Sequence, residues 1–205
     1  MRLILITILC GFQFGYHCAI IAGAHGFLAE YFILDQTKQA FAVSIILIGG
    51  LIGSLLGGIL ADKLGRKSSL HWTSLLLIVS TMIVSFAPSY ITFLMGRILQ
   101  GIGLGITTVV APIYLAEAAI SSKRGAIVSS NQFAIPLGIL TAYGISYIFS
   151  SSGNWRMMFM LGAVPAVIQL IGFFFLPEVV VRDKKSLENW RTLFTLRYRK
   201  LLILG

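Results

Sequence analysis

Charged side chains are few and bunched in this 205-residue chain, and the gaps between the bunches are long and uncharged. Hydrophobic residues make up 57% of it and charged residues 11%, with a mean hydropathy of +0.91. A soluble domain carries about 25% charged residues. Uncharged apolar runs of about 20 residues are what crossing a bilayer requires. Inside hydrocarbon a helix satisfies its own backbone polar groups. The pattern therefore predicts an all-α membrane protein of several spans.

The gaps place six spans, at residues 3–24 and at about 40–61, 70–87, 91–115, 126–149 and 156–176. An outer loop is expected over 25–39 and a turn over 62–69. Pro88-Ser89-Tyr90 is expected as a second outer turn, 117–125 as an inner loop, and Ser150–Trp155 as a last outer loop. Met1-Arg2 ahead of LILITILC, with Ala22-Gly23-Ala24 beyond, has the outline of a cleaved signal. The uncharged run nevertheless continues from Leu3 to Ala29, longer than the roughly 7–15 residues of a signal's apolar core. Residues 1–176 thus read as a six-span bundle, 177–200 as a short basic segment, and 201–205 as the start of a further span.

The net charge of +9 does not point to nucleic acid. With the N-terminus inside, 13 of the 16 basic residues fall on cytoplasmic segments, leaving Lys38, Arg97 and Arg156 elsewhere. That asymmetry is the positive-inside signature of a multi-pass protein of a plasma or inner membrane. Cys10 and Cys18 share the first span, ~12 Å apart along a helix, too far for a disulfide. No metal-ligand cluster, nucleophile–base constellation or phosphate-binding glycine loop stands out, so neither an enzyme nor a cofactor is expected. In the tail, Leu187, Trp190, Leu193 and Phe194 sit at helical spacing opposite Arg191 and Arg197. That spacing fits either an interfacial helix or a solvated basic loop.

One stretch carries the sharpest signal, GGLIGSLLGGILADKLGRK from Gly49 to Lys67. Gly49, Gly53 and Gly57 fall near one helix face and let a neighbouring backbone approach closely. The cluster that follows, Asp62, Lys63, Gly65, Arg66 and Lys67, must leave the hydrocarbon. Together with Gly58 it resembles the loop motif of the major facilitator superfamily in its sugar porter form. The resemblance runs from Gly11 to Pro177: Arg97, Pro112, Tyr114, Glu117, Arg124, Gly125 and Gln132 stand in matching places. Asn154-Trp155-Arg156 and Leu176-Pro177-Glu178 match as well. It implies the N-terminal six-helix half of a major facilitator fold. It also implies transport of a monosaccharide or polyol, by symport or uniport, through alternating access about a central site.

Residue roles follow from the resemblance and from chemistry side by side. Asp62, Gly65, Arg66, Lys67, Glu117 and Arg124 are expected to form a gating network at the cytoplasmic face. Gln132, with Ile135 and Ile139 on its face, is expected at the sugar, because an amide offers donors and acceptors that match hydroxyls. The other reading of Gln132 is an interhelical hydrogen bond. Phe14 and Gln13 are placed beside the same site by the resemblance.

Arg97 is an intramembrane cation, hence a functional candidate. Proton-coupled members of the family carry FGYD in the first span, and here the sequence is Phe14-Gly15-Tyr16-His17. Either His17 replaces the aspartate in coupling, or the protein is not proton-coupled in that way. Two other departures are EVVVR after Pro177 in place of ESPR, and a much shortened inner segment. A second half of the machine is missing from the chain, so a separate C-terminal half or a second copy is an expected partner, beside the sugar and the bilayer. The rival readings are an inactive remnant and a non-transporting membrane sugar-binding or sensor protein.

Overall fold

The computed structural model describes residues 2–118 and 124–175, and among them every regular element is a helix. In chain order these are α1 (Arg2–Phe32), α2 (Gln36–Leu64), α3 (Arg66–Ser85), α4 (Tyr90–Ala118), α5 (Arg124–Ser150), α6 (Trp155–Met160) and α7 (Ala163–Phe174). Five helical segments are long and apolar enough to cross a membrane: 36–64, 66–85, 90–117, 125–150 and the combined 155–174. α1, at 31 residues, is ~46 Å long and exceeds a ~30 Å hydrocarbon core. The expected basic segment 177–200, its interfacial helix, and the start of a further span at 201–205 lie outside the described residues.

The helices pair most extensively as α2 with α4, α1 with α5, and α3 with α4. Glycine explains why α2 and α4 lie so close. A β-carbon at Gly49 would run into the Ile98 carbonyl, and one at Gly53 into the Ile102 carbonyl. From the other side, Gly101 faces the backbone of Ile46, Gly49 and Gly50. Small residues are the means by which membrane helices gain packing contacts where no hydrophobic effect separates protein from lipid. The glycine face read from the sequence is thus the α2–α4 seam.

Three connections differ from the sequence expectation. The outer loop expected over 25–39 shrinks to residues 33–35, because α1 stays helical to Phe32. Leu28 is buried, and Phe32 packs at 6.1 Å from Phe93 and 5.8 Å from Trp155, ring centre to ring centre. Aromatic packing thus carries the helix past the first charges. Asp35 then starts α2 by accepting from the Lys38 amide at 2.8 Å. The turn expected over 62–69 is one residue, Gly65, at φ 86° and ψ 158°, a conformation that suits glycine. The sixth span is broken at Leu161-Gly162 into α6 and α7. Pro165 has no N–H for the Leu161 carbonyl, and Val164 donates to that carbonyl instead, at 3.1 Å.

An aromatic cluster closes the end opposite the basic turn. Arg156 lies 4.5 Å over both the Tyr31 and the Trp155 rings. Its Nη2 also donates to Tyr31 Oη at 2.9 Å and to the Ala87 carbonyl at 3.2 Å. One guanidinium therefore ties α1, the end of α3 and α6 together.

Candidate functional site

At the basic end the Gly65 turn sets Arg66 at the first position of α3, within reach of α2 and α4. Arg66 Nη1 lies 3.2 Å from Asp62 Oδ1 and donates to the Ala61 carbonyl at 3.0 Å. Its Nε donates to Glu117 Oε1 at 3.2 Å. A single mostly buried guanidinium thus bridges the end of α2 and the end of α4 with charge-assisted bonds. Asp62, Gly65, Arg66 and Glu117 are brought together. Lys67 follows on α3, and the side chain of Arg124 lies outside the described residues.

The buried interior holds a second polar group. Arg97 on α4 and His17 on α1 are fully buried. Arg97 Nη1 donates to the His17 carbonyl at 3.0 Å and to Gln100 Oε1 at 3.1 Å. Gln100 Nε2 donates to Thr81 Oγ1 at 3.1 Å and stands 3.5 Å from His17 Nδ1. The guanidinium also lies 5.6 Å from the centre of the Phe159 ring. His17 and Arg97 therefore meet, but through a backbone carbonyl and through Gln100. Among the described residues no carboxylate lies within ion-pair distance of Arg97.

Gln13, expected beside the sugar site, is instead fully buried. It donates to Gln169 on α7, which in turn donates to Cys10 Sγ at 2.7 Å. Helix geometry accounts for the difference. Successive residues point ~100° apart, so Gln13 joins His17 on the inward face while Phe14 turns to the next. Phe14 opens with Cys18 onto a hollow of about 220 Å³ between α1, α2 and α4. That hollow is largely apolar, with Ser54 and Thr108 on its wall.

Gln132 lies on the exposed flank of α5, with Ile135 and Ile139 half-buried beside it. It has no hydrogen-bond partner among the described residues. Its neighbour Asn131 faces the other way, accepting from the Gly11 amide at 3.0 Å. The interhelical bond weighed for Gln132 is thus made by Asn131. Gln100, Gln169 and Asn131 are the polar residues that sequence reasoning passed over. Each is an amide inside a span, the signal that singled out Gln132.

The "Sugar (and other) transporter" family model matches residues 3–200. The chain is 37% identical over 170 residues to the galactose-proton symporter of Escherichia coli K12, covering 83% of this chain and 37% of that protein. It is 36% identical over 168 residues to the glucose transporter GlcP of Staphylococcus epidermidis, covering 82% and 38%. The xylose transporter XylE from E. coli, in a partially occluded inward-open conformation, superposes with a TM-score of 0.82. That match is at 30% identity and covers 87% of this chain and 50% of XylE. The chain thus spans well under half the length of these curated relatives.

Proposed function

The chain belongs to the sugar transporter family of the major facilitator superfamily, and from that membership we propose that it forms one wall of a transmembrane sugar path. The path opens alternately to the two sides as this bundle rocks against a second six-helix unit. The substrate is a monosaccharide or polyol. The basic end, with the Asp62–Arg66–Glu117 network, is cytoplasmic and acts as the latch that must break for the inner side to open.

The observation that carries this reading is Gln132. An exposed carboxamide within a span, with no partner of its own, is costly against lipid and suited to a wet path. Sugar hydroxyls complement both ends of the amide. Ile135 and Ile139 supply apolar surface beside it, and Phe14 lines the hollow between α1, α2 and α4. Gln13 belongs to the layer behind, holding α1 to α7.

The setting of Arg97 favours a second statement about coupling. Its anchors are a carbonyl and Gln100, and among the described residues no carboxylate stands beside it to give or take a proton. The proposal is therefore a transporter without a carboxylate–arginine proton switch, with His17 as a packed, hydrogen-bonded residue.

The test is equilibrium binding of labelled galactose, glucose and xylose to the purified chain. Saturable, mutually competitive binding is expected, and Gln132→Ala should weaken it about tenfold, the loss of one to two amide bonds. Absence of binding of any sugar, or a Gln132→Ala protein that binds as well as the parent, would overturn the assignment.

A further inference from the structure

The guanidinium of Arg97 is only half used. Its Nη1 donates to the His17 carbonyl and to Gln100 Oε1, while Nε and Nη2 are buried with no hydrogen-bond partner among the described residues. We propose that this second edge binds a small monovalent anion, a halide or a planar oxyanion, inside the bundle.

The two unpartnered atoms are neighbours on the fork. Nε–H and one Nη2–H run parallel along one edge of the planar guanidinium, a geometry that takes two oxygens of one anion or holds a single halide between them. Buried polar groups are rarely left unpaired, and a buried charge without a counter-charge destabilises a fold more than any neutral group. Arg97 is fully buried, and among the described residues no carboxylate lies within ion-pair distance of it. The Phe159 ring centre, 5.6 Å from the guanidinium carbon, supplies a quadrupole and no full charge. Water would satisfy the two N–H groups and leave the charge bare, whereas an anion answers both. A divalent anion would exchange one unbalanced charge for another, so the occupant carries a single charge.

A hydroxyl stands at the same level. Thr81 on α3 and Gln100 on α4 are joined at 3.1 Å. One turn from that contact, toward the end opposite the basic turn, come Ser85 on α3 and Arg97 on α4. The same register sets Gly96 against Val84, where an added β-carbon would come within 3.1 Å of the Val84 nitrogen. The Ser85 hydroxyl is buried and unpartnered as well, a donor for the same anion. His17 Nε2 also has no partner, but the Gly162 backbone closes that side of the ring: a β-carbon there would come within 2.7 Å of His17 Cε1. The site is therefore the Arg97 edge with Ser85. It does not depend on the sugar assignment.

The full chain in mild detergent would be melted at one ionic strength while sodium chloride or sodium nitrate replaces sodium gluconate, an anion too large for the site. Either small anion should raise the unfolding temperature saturably, by about 4 °C at ten times its midpoint concentration, as binding to the folded state alone requires. A lower midpoint for nitrate would assign a planar oxyanion, and a lower midpoint for chloride a halide; both support the site. Arg97→Met should abolish the saturable gain, and Ser85→Ala should raise the midpoint about threefold, the loss of one hydrogen bond. Lys38→Gln removes an exposed cation elsewhere and should leave the midpoint unchanged. Equal melting in all three salts would overturn the proposal, the edge then being met by water. So would an Arg97→Met protein that keeps the gain or a Lys38→Gln protein that loses it, since the anion would then act at the surface. Should Arg97→Met fail to fold, Ser85→Ala decides alone, and an unchanged midpoint overturns the site.

Discussion

Gly101→Val is expected to cost the bundle ~3 kcal/mol or more and to lower its unfolding temperature in detergent further than any surface change. The reason lies in what the new side chain would meet. Its β-carbon would enter the Ile46 carbonyl and come within 2.9 Å of the Gly49 α-carbon and the Gly50 nitrogen. All of these are backbone atoms of α2, which cannot swing aside as a side chain does. The whole helix must move, and the α2–α4 seam is the most extensive contact in the fold. Gly103 on the same helix makes a graded comparison. Its added carbon would meet side chains alone, Leu77 at 2.8 Å and Leu76 at 3.7 Å, so Gly103→Ala should cost about 1 kcal/mol. Gly144 on α5 has nothing within 4 Å, and Gly144→Ala should be neutral or mildly stabilising through helix propensity. Thermal melts of the three variants check the order. If Gly101→Val melts with Gly144→Ala, the seam is not held by backbone contact.

The second large effect concerns the buried cation. Gln100→Leu is expected to destabilise the protein by ~2–4 kcal/mol, because it strips Arg97 of a side-chain acceptor and Thr81 of a donor in a dry interior. Arg97→Met should cost far less, ~1 kcal/mol or below, since it removes the desolvated charge along with its bonds. The double variant should therefore be more stable than Gln100→Leu alone, a coupling of ~1–3 kcal/mol in a double-mutant cycle. Purely additive losses would mean that the Arg97–Gln100 contact carries no energy. The asymmetry is the physical content of the cluster: the arginine is tolerated only while its carbonyl and amide acceptors remain.

Much of this was legible in the sequence, and the exceptions have identifiable causes. Bunched charges located the spans because a charge cannot remain in hydrocarbon without a partner. The four-residue glycine steps marked the close-packing face of α2, though not its partner α4, because a β-carbon at Gly49 or Gly53 would run into backbone. The motif from Asp62 to Lys67 placed Asp62 and Arg66 in one network with Glu117, fifty-one residues from Arg66. What charge patterning could not show was the continuation of α1 through Glu30 to Phe32, which depends on aromatic packing against α4 and α6. The resemblance set Gln13 and Phe14 at one site, although neighbours on a helix point to different faces. Gln13 found its amide partner in Gln169, 156 residues away, a pairing that needs the fold before it can be seen. Span six broke at Gly162, three residues ahead of a proline whose effect a hydropathy profile does not register.

The most direct test of the sugar-path reading is thiol accessibility at position 132. Gln132→Cys would be placed in a chain in which Cys10 and Cys18, both free thiols, are changed to alanine. In membranes a hydrophilic, membrane-impermeant maleimide would then be applied with and without saturating galactose, glucose or xylose. The reading predicts labelling in the absence of sugar and strong protection by at least one sugar, with no protection by an equal concentration of glycine betaine. A position that labels at the same rate with every sugar, or that never labels in the folded protein, would contradict it, because α5 would then turn this face to lipid or to protein and not to a path.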